Sequence, residues 1–381
     1  MTTGLLILAD SVRDADLFLA TGISVGDPFI YVETNGQRLI VTSEIEADAA
    51  RRNSTATDVW LSSRFGAREL LDGGMGSDDA QIEVLGRVVA DLRLDEVVVP
   101  PSFPVVAADH LRGQGVAVQP DRERFQLRRR AKDERALAGI RAAQRATEAA
   151  MARVVEVLGS SSPKGDGLMF DGEELTAEHV RAEVIATLRG HGCEGEPPIT
   201  SPGPQGAFVH ELGTGPVHPG ESLIVDIFPV HAESRFCADM TRTFCFGEAP
   251  ELLRHMHSTV REAVKRSTES IRTGVNGRQV WEAACDVIEA GGYRTERSVG
   301  IGTSLDEDFF HGLGHGVGLE VHEAPNMGLS GDDLIAGDVV TIEPGVYRKG
   351  FGGVRLEDLA VVRDDGAEVL TDFPYDMEIH A

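Results

Sequence analysis

At 381 residues the chain is too long for one small core, and two domains are the expectation. The 41% hydrophobic and 26% charged fractions are those of an ordinary globular protein, and the net charge of −26 excludes a general nucleic-acid binder, which would need a basic footprint. No run approaches the ~18 apolar residues of a membrane span. Cys193, Cys237, Cys245 and Cys285 form no CxxC pair, which reads as a reduced protein of the cytoplasm.

Residues 1–125 alternate short β runs with helical stretches. GLLILA has no Lys or Arg before it and Asp10 directly after, so it reads as a buried strand, not a leader. PFIYVE and QRLIVTS flank Thr34-Asn35-Gly36, a hairpin signal, and DEVVVP and VAVQP read as further strands. EIEADAARR and residues 78–92 read as helices. The expectation is a small α/β domain without a cluster of chemical groups. A basic, polar stretch from 121 to 134 follows, and its composition marks residues 126–133 as a solvated linker.

From 134 to about 158 apolar residues recur at helical spacing. Thr176 reads as the N-cap of a second helix ending at Gly190. A Pro/Gly-rich loop leads to the β runs ESLIVDIF and SRFCADMTRTFCF. Pro250 then opens a helix, and Asn276 caps another that stops at Gly291-Gly292. The β runs DVVTIEP and VRLEDLAVV close the pattern. Residues 134–246 and 250–363 thus share an order, two helices and then strands, which predicts a duplicated α+β domain with helices outside and sheet inside.

The stretch HGLGHGVGLEVHEAP, residues 311–325, places three histidines among four glycines. Each glycine costs a helix roughly 1 kcal/mol, so a glycine-rich strand or loop is expected, open to close approach by a substrate. This is not the HExxH zinc helix. Asp226, Asp239, Glu343 and Glu357 each interrupt or end a β run that otherwise reads as buried. Singly, each fits an ion pair or a wet strand end. Together with the histidines they favour a metal site, because buried carboxylates are costly unless paired or coordinating. An oxygen-rich set with one imidazole suits Mn²⁺, Fe²⁺ or Co²⁺ over a thiolate zinc site, and bridging carboxylates would allow two ions.

DMTRTF, HGLGHGVGLEVHEAP, TIEPG and VRLED together resemble the motif set of the pita-bread metallopeptidases, which include Xaa-Pro aminopeptidases, prolidases and methionine aminopeptidases, with the metal-free creatinases. The likeness covers about 134–381, and residues 1–125 resemble the N-terminal domain of the aminopeptidase P, prolidase and creatinase branch. The resemblance implies a C-terminal pita-bread domain with a pseudo-twofold repeat. It implies Asp226, Asp239, His315, Glu343 and Glu357 as ligands of two divalent ions, with Asp239 and Glu357 bridging. Mn²⁺ comes first, with Co²⁺, Fe²⁺ or Zn²⁺ as the other candidates. It gives His322 and His210 places at the scissile carbonyl and the substrate site, and His311 and Arg355 places in the substrate pocket. Glu343 would carry the proton from nucleophile to leaving nitrogen. A homodimer is implied by the resemblance alone.

Three positions depart from that pattern. Asp226 and Asp239 stand thirteen residues apart where eleven is usual, with Phe228-Pro229 in place of a glycine turn. An even insertion keeps both side chains on one face of a hairpin. Glu211 stands where a tyrosine often follows the upstream histidine, and Asn326 where several prolidases carry an arginine. The function expected is a metal-dependent peptidase that cleaves the Xaa-Pro bond of short peptides through a metal-activated hydroxide. The alternative is a hydrolase or lyase of a small nitrogenous metabolite on the same fold. A metal-free binding scaffold would have lost ligands that this chain keeps.

Overall fold

A computed structural model of the chain describes residues 2–300 and 303–381. It divides into two compact units, Met1–Arg129 and Arg130–Ala381.

The first unit is built on a six-stranded sheet. GLLILA forms the central strand Thr3–Ala9, which is antiparallel to Phe29–Thr34 and parallel to Glu96–Val99. The hairpin at Thr34-Asn35-Gly36 forms as expected, with φ of 50° at Asn35 and 76° at Gly36. Two consecutive left-handed residues match the twist of the flanking strands, which is why Asn-Gly occupies the turn. Alternate side chains feed two cores. Leu6, Leu8, Ile30 and Val32 pack on one face against Val84, Leu85 and Val88 of the helix Ser77–Asp91. Leu5, Ile7, Phe29 and Tyr31 pack on the other.

The stretch read as a solvated linker is helical from Arg122 to Arg130. Asp121 Oδ1 accepts from the Arg124 amide at 3.0 Å, Phe125 is buried, and Arg128 is bidentate on Glu33 at 2.6 and 2.9 Å. A charge run folds here because Arg128 and Arg129 meet fixed carboxylates, Glu33 and Asp16, of the same unit.

In the second unit the two-helices-then-strands order occurs twice. Helices Glu134–Gly159 and Ala177–Gly190 precede the sheet 199–202, 223–227, 240–246 and 378–379. Helices Glu251–Ser270 and Gly277–Ala290 precede the sheet 323–327, 314–316, 339–342, 358–362 and 367–369. The caps are the predicted ones. The Thr176 hydroxyl accepts from the His179 amide, and Asn276 forms a capping box with Gln279. Each helix pair buries its apolar stripe on its own sheet: Met151, Val154 and Val184 against Val225 and Phe244, and Met256, Val260, Trp281 and Ile288 against Val340 and Ala360. The two sheets are stitched where they meet. The Glu357 amide donates to Thr241 O at 3.0 Å, and the Thr243 hydroxyl donates to Arg355 O at 2.9 Å.

The histidine stretch is a short strand, Gly314–Gly316, inside the second sheet. Two of its glycines are required by the fold. A Cβ on Gly314 would stand 2.2 Å from Thr341 O, and one on Gly316 would stand 2.2 Å from Ala324 O. All four cysteines are free and buried. No helix among the described residues is long and apolar enough to cross a membrane.

Candidate metal centre

The seam between the two sheets collects the carboxylates. Asp226 lies in the strand Leu223–Ile227, opposite Thr241 of Met240–Phe246. Opposed residues share a face and so do residues two apart, so Asp226, Thr241 and Asp239 all point the same way. The longer hairpin keeps that register: Ile227 pairs with Met240, and Val230 bridges Cys237. Both pairs keep one register, so the two extra residues lengthen the hairpin without turning either carboxylate to the other face.

The second sheet supplies the other side. Ile342 pairs with Asp358, and Gly345 pairs with Arg355, which is again one continuous register. Continued through the intervening residues, it sets Glu343 opposite Glu357. Like charges directly opposite on a ladder repel unless something positive lies between them. Arg355 and Tyr347 fall on that same face, and His315 joins from the neighbouring strand.

Ligand atoms of Asp239, His315 and Glu357 all lie within 4.8 Å of one another. His315 Nε2 is 3.3 Å from Glu343 and 3.8 Å from Asp239, and its Nδ1 is 3.2 Å from Gly316 O. A ring nitrogen facing a carbonyl is the donor, so Nε2 is the nitrogen turned to the carboxylates. Burial opposes a charge on the ring, but the hydrogen bond and charge of Glu343 raise the His315 pKa, and a bound cation would take the place of the Nε2 proton. Such a histidine is set for a metal ion, with its outer N–H fixed by the backbone. Asp226 stands slightly apart, held by Arg355 Nη2 at 2.6 Å.

The electrostatics agree. Burial, then the charges of Glu357, Asp226 and Glu343, push the Asp239 carboxyl well above the usual range. Burial, then Glu343 and Asp226, do the same to Glu357. Burial also works against an ionised Glu343, but the hydrogen bond and charge of His315, with His311 and Arg355, hold it at about 2. Four carboxylates therefore share one permanent cation, Arg355, and one histidine. Two oxygens in the group, Asp226 Oδ1 and Glu357 Oε1, are buried and accept no hydrogen bond. The surplus negative charge, the orphaned oxygens and the inward Nε2 fit divalent cations. Asp239, His315 and Glu357 bring their ligand atoms together closely enough to hold an ion, with Glu343 beside His315 and Asp226 beside Arg355.

A wall of donors borders the cluster. Arg355, 2% exposed, donates to Tyr347 Oη at 3.2 Å, and the Tyr347 hydroxyl stands 3.0 Å from His311 Nε2. His311 Nδ1 faces Gly312 O at 2.7 Å, so Nδ1 carries the proton and Nε2 accepts from Tyr347. Burial keeps His311 neutral by lowering its pKa. His322 is exposed, with its ring 4.3 Å from that of His315, and burial with the His315 charge depresses its pKa. His210 is exposed after the turn Gly203–Ala207, near enough for its charge to reach His311 and His322. Sequence reasoning passed over Tyr347 and Thr241. The Thr241 hydroxyl donates to Glu357 Oε2 at 2.7 Å and fixes the orientation of that carboxylate. Its signal was its place two residues after Asp239, on the same strand face.

Residues 138–364, well over half of the chain, match metallopeptidase family M24. The chain belongs to this family. Among curated relatives, a probable dipeptidase PepE of Mycobacterium tuberculosis is 31% identical over 65% of this chain and 60% of that protein. An Xaa-Pro dipeptidase of Pyrococcus furiosus is 31% identical over 52% of this chain and 56% of that protein. The chain thus spans a little over half the length of these relatives. Among solved structures, an X-Pro aminopeptidase from Thermotoga maritima superposes with a TM-score of 0.79, covering 99% of this chain and 97% of that one at 24% identity. That likeness establishes the family's two-domain, pita-bread architecture for this M24 chain.

Proposed function

We propose that the protein is a metal-dependent peptidase that hydrolyses the bond before proline in short peptides. The observation that carries this reading is the convergence of Asp226, Asp239, His315, Glu343 and Glu357 on one buried, cation-deficient seam. The names of the relatives, dipeptidase and Xaa-Pro dipeptidase, support the reaction class and the substrate.

In this proposal the five residues would hold two divalent ions, Mn²⁺ first among candidates. When bound, the ions supply Lewis-acid activation of water and of the scissile carbonyl. The chain's own residues do the rest. Glu343, held ionised beside His315, accepts a proton from the nucleophile and returns it to the proline nitrogen. His322, whose pKa is lowered by burial, and His210 donate towards the carbonyl oxygen as charge develops there. Neutral His311 and buried Arg355, coupled through Tyr347, form a rigid polar wall for the substrate. Residues 134–381 carry the chemistry. A homodimer in the cytoplasm is part of the same proposal. Asn326, exposed where a carboxylate-gripping arginine would stand, argues for longer peptides alongside dipeptides.

The test is hydrolysis of Xaa-Pro dipeptides against Xaa-Pro-Yaa tripeptides by chelated protein with Mn²⁺, Co²⁺, Fe²⁺ or Zn²⁺ restored, and Glu357→Ala as control. Metal-restored cleavage that the variant lacks supports the peptidase, and the ratio of rates names the preferred length. Bound metal with neither substrate cleaved moves the assignment to a small-molecule hydrolase.

A further inference from the structure

Lys132 has a place that its composition makes conspicuous. The chain has 36 cationic side chains, of which only Lys132, Lys164, Lys265 and Lys349 are lysines. The other three lysines are exposed, whereas the Lys132 side chain is 2% exposed and contacts Glu323, also 2% exposed. Burying an ammonium is costly, and a buried ion pair by itself is weak evidence of added stability. In a chain that otherwise relies on arginine, a buried lysine points to a site where a compact point charge is needed.

Glu323 directly follows His322. The four residues 319–322 project between two tight contacts that the glycines allow. Gly316 lies against Ala324 O, and the Glu323 carboxylate lies over Gly318, where a Cβ would stand 2.3 Å from Oε1. The Cys237 amide donates to Gly318 O at 2.8 Å, which ties the loop to the hairpin that carries Asp239. Lys132 is anchored in turn. Its amide donates to Gly337 O at 3.2 Å, and neighbouring Arg130 is bidentate on fully buried Asp338 at 2.6 and 2.9 Å. Asp338 directly precedes the strand Val339–Ile342, and Glu343 directly follows it. One frame therefore sets the positions of Lys132 and of Glu343, and Lys132 reaches from it to the residue beside His322.

We propose that Lys132, through Glu323, is a positioning residue that fixes the His322 loop against the strand carrying Glu343, so that His322 meets the scissile carbonyl in register with the proton-transfer group. This rests on the peptidase reading for its consequence, but not for its structural content. Lys132 is not one of the proposed metal ligands, and it acts by where it holds the loop through Glu323. A displacement of 1 Å at such a group costs on the order of 100-fold in rate.

The test replaces both partners, Lys132→Met with Glu323→Gln, so that no buried charge is left unpaired and the fold survives. Three quantities are read on the metal-loaded full chain: melting temperature, Mn²⁺ affinity by calorimetry, and kcat and KM for an Xaa-Pro substrate. Hydrogen exchange of residues 317–323 is followed independently of activity. The expected result is an unchanged Mn²⁺ affinity and KM, a kcat lower by about 30-fold or more, and exchange in 317–323 faster by about tenfold. Unaltered kcat in a stable double variant would show the pair to be structural only. A parallel fall in Mn²⁺ affinity would show that it supports the ligands and not His322. Unchanged loop exchange overturns the proposal whatever the activity. If the wild-type protein cleaves no Xaa-Pro bond, the peptidase reading has failed, and the exchange result alone decides for or against the positioning role.

Discussion

Replacing a metal-site carboxylate with its amide usually destabilises an enzyme, yet Glu357→Gln should stabilise this one when it is metal-free. Glu357 is 2% exposed, its ligand atom lies within 4.8 Å of that of Asp239, and its Oε1 accepts no hydrogen bond. Two like charges at 4.8 Å repel by roughly 3 kcal/mol at an effective dielectric near 20. The amide removes that repulsion, or the proton uptake that would relieve it, and its oxygen can still accept from Thr241. In a unit of about 250 residues, a gain of roughly 3 kcal/mol raises the melting temperature by roughly 6–12 °C. In saturating metal the order reverses. The wild type gains about 3 kcal/mol at a metal concentration 100 times Kd, and the variant loses most of that gain. Differential scanning calorimetry of both proteins, chelated and with Mn²⁺, reads all four values. A lower melting temperature for Glu357→Gln in both conditions would refute the argument, because it would mean that the carboxylate is satisfied without a cation.

Other outcomes follow from single contacts. Arg355→Met strands Asp226 beside the cluster and should cost about 3–5 kcal/mol in the chelated protein by urea denaturation, and less with Mn²⁺ present; an equal loss in both states would show that the ion does not neutralise Asp226. His257 is buried beside Arg261 and Arg242, and burial followed by those charges lowers its pKa to about 4. Because the folded value lies below the unfolded one, its contribution to stability is complete above pH 6.5 and is lost as the pH falls towards 4. Relative to His257→Gln, the wild type should lose about 3 kcal/mol across that window, and parallel stability curves would exclude the assignment. Gly314→Ala would drive a methyl against Thr341 O, so it should cost about 2 kcal/mol or more and weaken Mn²⁺ binding at adjacent His315; unchanged calorimetry would mean that the strands part freely.

What the sequence carried was local chemistry at regular spacing. Thr176, Asn276 and Asn35-Gly36 specify their caps and turn by backbone geometry, and the structure has them at those residues. Carboxylates ending apolar runs are visible in one dimension, and even spacing along a strand tells which of them share a face. The misreadings involve partners that a linear reading cannot supply. The stretch 122–130 read as a linker because Glu33, the partner of Arg128, lies 95 residues away. The packing role of Gly314 and Gly316 was hidden because Thr341 and Ala324, which press on them, belong to other strands. Tyr347 carried no signal, since only the register of its hairpin brings it to Arg355 and His311. Lys132 and Glu323, 191 residues apart, are paired by the fold alone.

The central claim is that two buried carboxylates, Asp239 and Glu357, two half-buried ones, Asp226 and Glu343, and His315 share one seam because divalent cations belong between them. Metal counting by inductively coupled plasma mass spectrometry on protein dialysed against Mn²⁺ tests it most directly. The account predicts two equivalents per wild-type chain and a loss of both in Asp239→Asn. A wild-type chain that retains no metal, with the seam intact in a melting profile indifferent to Mn²⁺, would contradict it.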